Sequence, residues 1–421
     1  MLRLLDLRRG DPPPEPVRPA LDPAVLEGAR GICEHVRSDG DAALVDLTRR
    51  YDGADIEGRI EVPKDELRSA ADQLPGELRS AIDRMAERLR DLHRRQLPEP
   101  WDADRDGVRY GEVVRPLASV GCYVPGGRAA YPSTVLMTAV PARVAGVGRV
   151  VLCTPPSEDS SLPPAVRYAA SVAGIDAVYR IGGAQAIAAL AYGTETVPAV
   201  DKVVGPGNVW VTAAKREIAA VVGIDGLAGP TELVVVAGSD ADPVVLGADL
   251  VAQAEHDPLA RTILVCLDDT LAEKVDRALD AEVEASPRRE VVAAALGESM
   301  AVIAGSEGDA ARLVDRLAPE HLQVVTERPR AFLDQVRSYG AAFLGPLTPV
   351  SFGDYGVGSN HVLPTMATAR FSSGLRASDF VTVSSVVEGT ADGLAALGPD
   401  VEAVARAEGL PGHARSAEVR R

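Results

Sequence analysis

Apolar positions recur along this chain with two different periods, and the change between them divides it. Leu78, Ile82, Met85, Leu89 and Leu92 stand four and three residues apart, the spacing of one face of a helix. Charged residues fill the positions between, so this segment reads as a packing helix. Residues 23–96 read as helical, behind a proline-rich arm over residues 1–20. From about residue 116, short apolar runs ending in glycine turns alternate with alanine-rich segments. VGRVVLCTPP, DAVYRIGG and DKVVGPGN read as strands, with AQAIAALAYG and VWVTAAKREIAAVVG as helices after the second and third. A second series begins at TELVVVAG and continues through the strand Thr262–Val265, the helix DAARLVDRLA and the strand LQVVT. This alternation predicts parallel sheets with helices on their faces. Two similar α/β units fit the pattern, although no internal repeat is visible in the residues. DFVTVSSVVE then reads as a strand and PDVEAVARAEGL as a helix before a short tail.

One helix breaks its own pattern. In DLVAQAEHDPLARTILV (249–265) the helix stops at Pro258. Leu246, Leu250 and Gln253 share a face, and His256 follows one turn later. An apolar face that ends in glutamine and histidine can be an ordinary helix terminus, since a histidine there suits the negative end of the dipole. It can also open onto a polar site.

Composition narrows the choice. With 421 residues, 46% hydrophobic and 25% charged, the chain reads as a globular protein long enough for roughly three domains of ordinary size. A net charge of −17 argues against a nucleic-acid or anionic-membrane partner, since both need a basic face. Neither a signal-peptide run nor an apolar stretch of membrane-spanning length is present, which predicts a cytoplasmic location. Cys33, Cys122, Cys153 and Cys266 are scattered without a CxxC pattern and read as reduced, mostly buried thiols. Of six histidines, His35 and His93 lie in charged helical segments and read as solvated.

The remaining motifs carry chemistry. Gly182-Gly183 and Gly205-Pro206-Gly207-Asn208 join strands to helices; such turns either simply reverse the chain or admit a phosphate at a helix N-terminus. The turn CYVPGGRAAYPSTV offers Tyr123 as a platform for a planar ring or as a loop anchor. APEHLQVV sets Glu320 beside His321 at a sheet edge, a pairing suited to proton transfer. SFGDYGVGSNHVLPT presents Asp354 as a carboxylate ligand and His361 as a hydrogen-bond donor. Asp354 together with Gln253 and His256 makes an N/O donor set of three without thiolate, which suits zinc or another divalent first-row ion. The candidate fourth ligand is His413, in the terminal AEGLPGH, with Glu408 five residues before it.

YVPGG with YPSTVLM, GPGN, QAEH, PEHL, GDYGVGSNHVLPT and EGLPGH occur in this order and at about this spacing in histidinol dehydrogenases. The chain resembles that family from roughly residue 25 to its end. The resemblance implies two Rossmann-like parallel-sheet domains with helices on both faces, and small terminal extensions that form an intertwined homodimer. On that basis residues 1–24 form an arm, and 25–121 with 232–376 form one α/β domain carrying the metal and catalytic motifs. Residues 122–231 form the NAD-contacting domain, 377–400 a dimerisation segment, and 401–421 a tail reaching the partner's active site.

The resemblance further implies oxidation of L-histidinol to L-histidine, the last steps of histidine biosynthesis, with two NAD and one zinc per site. The implied zinc ligands are Gln253, His256, Asp354 and His413, and Glu320 and His321 are the proton-transfer pair. Tyr123, Gln185 and Asn208 match NAD-contacting positions. Thr231, Gln253, His256, His321, Asp354, Glu408 and His413 match substrate-contacting ones, with His361 in the same pocket motif. Ala228-Gly229-Pro230-Thr231-Glu232 departs from the family's usual serine at Thr231; threonine keeps the hydroxyl and adds a methyl. Two other readings fit the metal motif: a related zinc- and NAD-dependent dehydrogenase of another small alcohol, and a zinc hydrolase using Glu320 as water base. The hydrolase leaves Tyr123, Gln185 and Asn208 without a task.

Overall fold

The computed structural model describes residues 2–18, 21–126 and 129–421. β1 (Arg3–Asp6) lies at one edge of a six-stranded sheet. β2 (Trp101–Arg105) and β3 (Val108–Pro116) form a hairpin. β4 (Ser119–Tyr123), β5 (Arg149–Cys153), β6 (Ala177–Tyr179), β7 (Lys202–Val204) and β8 (Gly223–Ile224) form a parallel sheet in the order β6-β5-β4-β7-β8. β9 (Glu232–Ala237), β10 (Arg261–Cys266), β11 (Met300–Ile303), β12 (His321–Val325) and β13 (Ala341–Leu344) complete the first sheet, in the order β1-β11-β10-β9-β12-β13, with every neighbour parallel. β14 (Val381–Gly389) pairs antiparallel with β3. Numbered from its own first strand after residue 118, each parallel sheet runs 3-2-1-4-5; β1 is an addition to the second. The two α/β units expected from the alternation are therefore present, and they share one topology.

Both parallel sheets are covered on both faces. Val120, Val150 and Val204 of the five-stranded sheet face one apolar cluster, and Val151, Cys153 and Val203 face another. In the six-stranded sheet Leu233, Val235 and Leu264 face one side, and Val234, Val236 and Val265 the other. Burial on both faces explains why β9 reads as a continuous apolar run.

The N-terminal helices do not join the unit expected from the sequence. The helix Pro23–Asp52 packs on the helices Gly183–Tyr192 and Val209–Ile218, and the helix Gly76–Arg94 packs on Pro132–Val144. Val36, Leu44 and Leu47 cover one face of the five-stranded sheet, and Ile82, Met85 and Leu89 the other. Grouping residues 25–121 with 232–376 thus separates helices from the sheet that they cover, and a boundary at residue 122 cuts β4. Two further expectations change. The proline-rich arm begins with β1, whose partner β11 starts near residue 300. His93 is fully buried and not solvated: Nδ1 lies 2.8 Å from Gln96 Oε1, and Nε2 faces the Asn360 amide. His35 does pair with Asp39 on a half-open face.

The hairpin β2–β3 turns at Asp106-Gly107, both residues at positive φ (51° and 77°), the backbone that a two-residue hairpin favours. With β14 it forms a three-stranded sheet. The β14 side chains are exposed apart from Val381, including Val383, Val386 and Val387. The helix Ala391–Ala407 follows, and the helix Pro411–Glu418 packs on it. No helix among the described residues is long and apolar enough to cross a membrane.

Candidate active site

Thr231 precedes β9 and Glu320 precedes β12, so both stand at the amino edge of two adjacent central strands. In most open parallel α/β sheets ligands bind at the carboxyl edge; here the acid–base pair takes the opposite end. Glu320 Oε2 accepts the Thr231 hydroxyl at 2.5 Å and the Glu232 N–H at 2.9 Å. The Gln253 amide N–H donates in turn to the Thr231 hydroxyl. One threonine oxygen thereby joins the end of the helix Pro243–Ala254 to the carboxylate before β12.

His321 is buried, with its ring centroid 6.0 Å from that of Phe343. Nδ1 lies 3.2 Å from the Glu232 carbonyl oxygen and 3.4 Å from Glu320 Oε2. Two acceptors on that side place the proton on Nδ1 in the neutral ring. Nε2 is then the lone-pair nitrogen; it is buried and has no hydrogen-bond partner among the described residues. Burial disfavours the imidazolium, but the Glu320 charge and hydrogen bond, with the Asp354 charge, outweigh it and raise the His321 pKa. Burial likewise works against the Glu320 carboxylate. The His321 charge and the donors from His321, Thr231 and Glu232 prevail, so Glu320 stays below the ordinary glutamate range.

The glycine-rich motif supplies the next wall. Asp354 ends the short helix Ser351–Asp354. His361 Nδ1 lies 3.2 Å from the Asp354 carbonyl, and its Nε2 lies 3.1 Å from Thr134 Oγ1. Burial, with His256 adding to it, lowers the His361 pKa despite Asp354. Gln253 is buried and His256 is exposed just past the helix. Gln253 donates through nitrogen, and its carbonyl oxygen accepts no hydrogen bond among the described residues. Gln253 oxygen, His256 nitrogen and the Asp354 carboxylate thus fit a divalent ion with N/O preference. His413 and Glu408 are not brought to them: both are exposed on the tail, and neither side chain makes a hydrogen bond or ion pair among the described residues. Consistent with this, no group of three His, Cys, Asp or Glu side chains is gathered for a metal among the described residues.

The other unit holds a cleft of about 880 Å³ at the carboxyl edge of its sheet, lined by Tyr123, Thr154, Gln185, Asn208, Asp52 and Trp210 among others. Its size lies within the roughly 300–1,000 Å³ of small-molecule sites. Tyr123 ends β4, and its hydroxyl accepts the Gly183 N–H at 3.1 Å. Gln185 is buried, with Nε2 unpartnered among the described residues. Asn208 caps the helix Val209–Ile218, Oδ1 accepting from Trp210 and Val211, which leaves its amide N–H groups for a ligand. The turn before it is held by a buried ion pair. Lys215 Nζ reaches Asp225 Oδ1 and the Gly205 carbonyl, both at 2.5 Å, and Asp225 Oδ2 accepts the Gly205 N–H. Gly205 sits at φ +122°, where a Cβ would fall 2.0 Å from the Tyr123 carbonyl. Gly127 and Arg128, in the YVPGG turn, lie outside the described residues.

Motif reading missed Glu232, Asp249, Gln323, Thr134 and the His93–Asn360 contact. The four-residue spacing of Met85, Leu89 and His93 along one helix face was the available signal for His93; the others show nothing locally that separates them from ordinary polar positions.

Two doubly wound sheets, one with a cleft of small-molecule size at its carboxyl edge and one with a buried acid–base pair beside N/O donors, give the architecture of an α/β enzyme. The histidinol dehydrogenase family model matches residues 18–421, and the chain belongs to that family of NAD-dependent oxidoreductases of histidine biosynthesis. It is 48% identical over 419 residues to the histidinol dehydrogenase of Caulobacter vibrioides, covering 99% of this chain and 95% of that one. Against the enzyme of a Synechococcus species it is 47% identical, covering 93% and 91%. The crystal structure of histidinol dehydrogenase from Elizabethkingia anophelis matches with a TM-score of 0.94 at 34% identity, covering 100% of this chain and 98% of that one.

Proposed function

We propose that the chain oxidises L-histidinol through L-histidinal to L-histidine with NAD, at a site assembled from two copies. The observation that carries the reading is the buried, unpartnered Nε2 of His321, whose Nδ1 is held toward the Glu232 carbonyl and the Glu320 carboxylate. A lone pair fixed in this way can take the alcohol proton as the first hydride departs. Glu320, kept ionised, takes a proton from the water that adds to the aldehyde before the second hydride departs. Gln253, His256 and Asp354 would hold zinc, with His413 of the tail as fourth ligand. Zinc and NAD, when bound, supply substrate orientation and hydride acceptance. Tyr123, Gln185 and Asn208 hold the dinucleotide in the cleft, while Glu408 and His361 border the substrate.

The exposed β14 and the exposed His413 and Glu408 side chains support a homodimer in which these two residues serve the neighbouring copy. The chemistry and the lack of a membrane-length helix suit a cytoplasmic enzyme. The test is stoichiometry: two NADH should form per histidinol consumed, chelation should abolish turnover and zinc should restore it. A protein that reduces NAD with other amino alcohols as well as with histidinol would overturn the substrate assignment. Full turnover in metal-free protein would overturn the zinc assignment.

A further inference from the structure

Asp249 and Gln323 are buried polar residues outside the motifs, and each stands one repeat away from a site residue. Asp249 precedes Gln253 by one helical turn, so both project from one face of the helix Pro243–Ala254. Gln323 follows His321 by two along β12, so both project from one face of the strand. Gln323 Nε2 donates to Asp249 Oδ2 at 2.5 Å, with the Thr348 carbonyl at 3.5 Å. Thr348 lies two residues before Val350. Val350 precedes the helix Ser351–Asp354. The Asp249–Gln323 pair therefore ties the helix of Gln253 to the strand of His321, and its amide also reaches the chain just before the helix ending in Asp354.

Its setting is apolar. Leu246, Leu250, Val235, Val350 and Phe343 belong to the cluster on this side of the sheet. A buried carboxylate among such neighbours is costly relative to an aliphatic side chain of similar volume. Gln323 Oε1 moreover finds no partner among the described residues. Packing alone does not account for the pair. What it adds is direction: hydrogen bonds fix three segments at one angle and spacing, where apolar contact would let them slide.

We infer that Asp249 and Gln323 are positioning residues that hold the donors Gln253 and Asp354 in register with His321. This rests on the reading that Gln253, His256 and Asp354 hold the metal. The test compares the full-length protein with Asp249→Asn, with Gln323→Glu, and with the double exchange Asp249→Asn/Gln323→Glu. In the double exchange, an amide at 249 donates to a carboxylate at 323. Three quantities are measured: the Tm of metal-free protein, the zinc dissociation constant by chelator competition, and kcat and KM for histidinol. Each single change should weaken zinc binding about tenfold or more, the lower end for residues supporting ligands, and should lower kcat more than it raises KM. The double exchange should recover most of both losses.

Zinc affinity and kcat within about twofold of the parent in both single variants would overturn the brace. So would losses that simply follow a lowered metal-free Tm and persist in the double exchange. If the parent itself binds no zinc, it is the metal reading that fails. The brace then stands or falls on kcat and its recovery in the double exchange.

Discussion

The Thr231 hydroxyl bonds to Glu320 and Gln253 at once: it donates to the carboxylate and accepts from the amide. A hydroxyl has one proton to give, so each bond fixes the sense of the other. Through it, an acid–base group and a proposed metal ligand 67 residues apart in sequence share one oxygen. The threonine methyl does not interrupt either bond, so threonine in place of the family's usual serine keeps the connection.

Thr231→Val should therefore cost much more than Thr231→Ser. Valine leaves Glu320 and the Gln253 amide each short of a buried partner, at about 1–3 kcal/mol apiece. Turnover should fall roughly 10- to 100-fold, with the serine variant within about threefold of the parent. Steady-state kinetics on histidinol decide it; a serine variant that loses as much as the valine variant would show that the hydroxyl alone does not carry the role.

Glu320→Gln should spare the first hydride transfer more than the second. The change keeps shape and removes a general base, typically worth about 10²- to 10⁴-fold. The loss should fall mainly on oxidation of added histidinal. The Glu320 charge also raises the His321 pKa, against the pull of burial. Its removal should move the acid limb of the histidinol pH–rate profile to lower pH. Equal slowing of both half-reactions would assign the water-activating role elsewhere.

Glu232 offers a stability test that is separate from turnover. Burial first, then the neighbouring Glu320 charge, push its carboxyl from 4.5 to about 7. The folded pKa is raised, so the stability that this group contributes is present in full below about pH 4.5 and lost as pH rises through 7. Glu232→Gln should consequently gain about 3 kcal/mol over the parent at pH 8 and nothing near pH 4. Urea unfolding at both pH values reads this directly. A gain that is the same at pH 4 and pH 8 would contradict the burial argument.

The shared site predicts complementation. His413→Ala and Glu320→Gln are each expected to be nearly inactive. When the two are unfolded and refolded together, a mixed dimer places both defects in one site and none in the other. Random pairing makes half the dimers mixed, so about a quarter of all sites should be intact. If each tail served its own chain, every site would carry one defect and no activity would return.

How far the sequence revealed this molecule depends on how local the information was. β5, β7, β9 and β12 were legible because glycine turns and helix starts flank their apolar runs within a few residues. β1 was not, since RLLD acquires its meaning only beside β11, about 300 residues on. The hairpin β2–β3 carried a legible Asp-Gly turn. Its arms, however, bury no side chain, Gly111 being their one buried residue, so no core-facing apolar run marked them as strands. Glu320 and His321 are adjacent and advertised themselves. Thr231 stands 89 residues away from Glu320, and only the parallel pairing of β9 with β12 makes them neighbours.

The acid–base pair stands where β9 and β12 begin, so the loops leaving β9, β10 and β11 emerge on the other side of that sheet. A strand of six residues spans about 20 Å. The turn Leu267–Thr270, with Asp268, Asp269 and Thr270 at its tip, is thus remote ground within the same unit. A fluorophore or affinity handle attached there would report on the enzyme's tumbling and immobilise it by its back, leaving the chemistry free to run at the opposite rim.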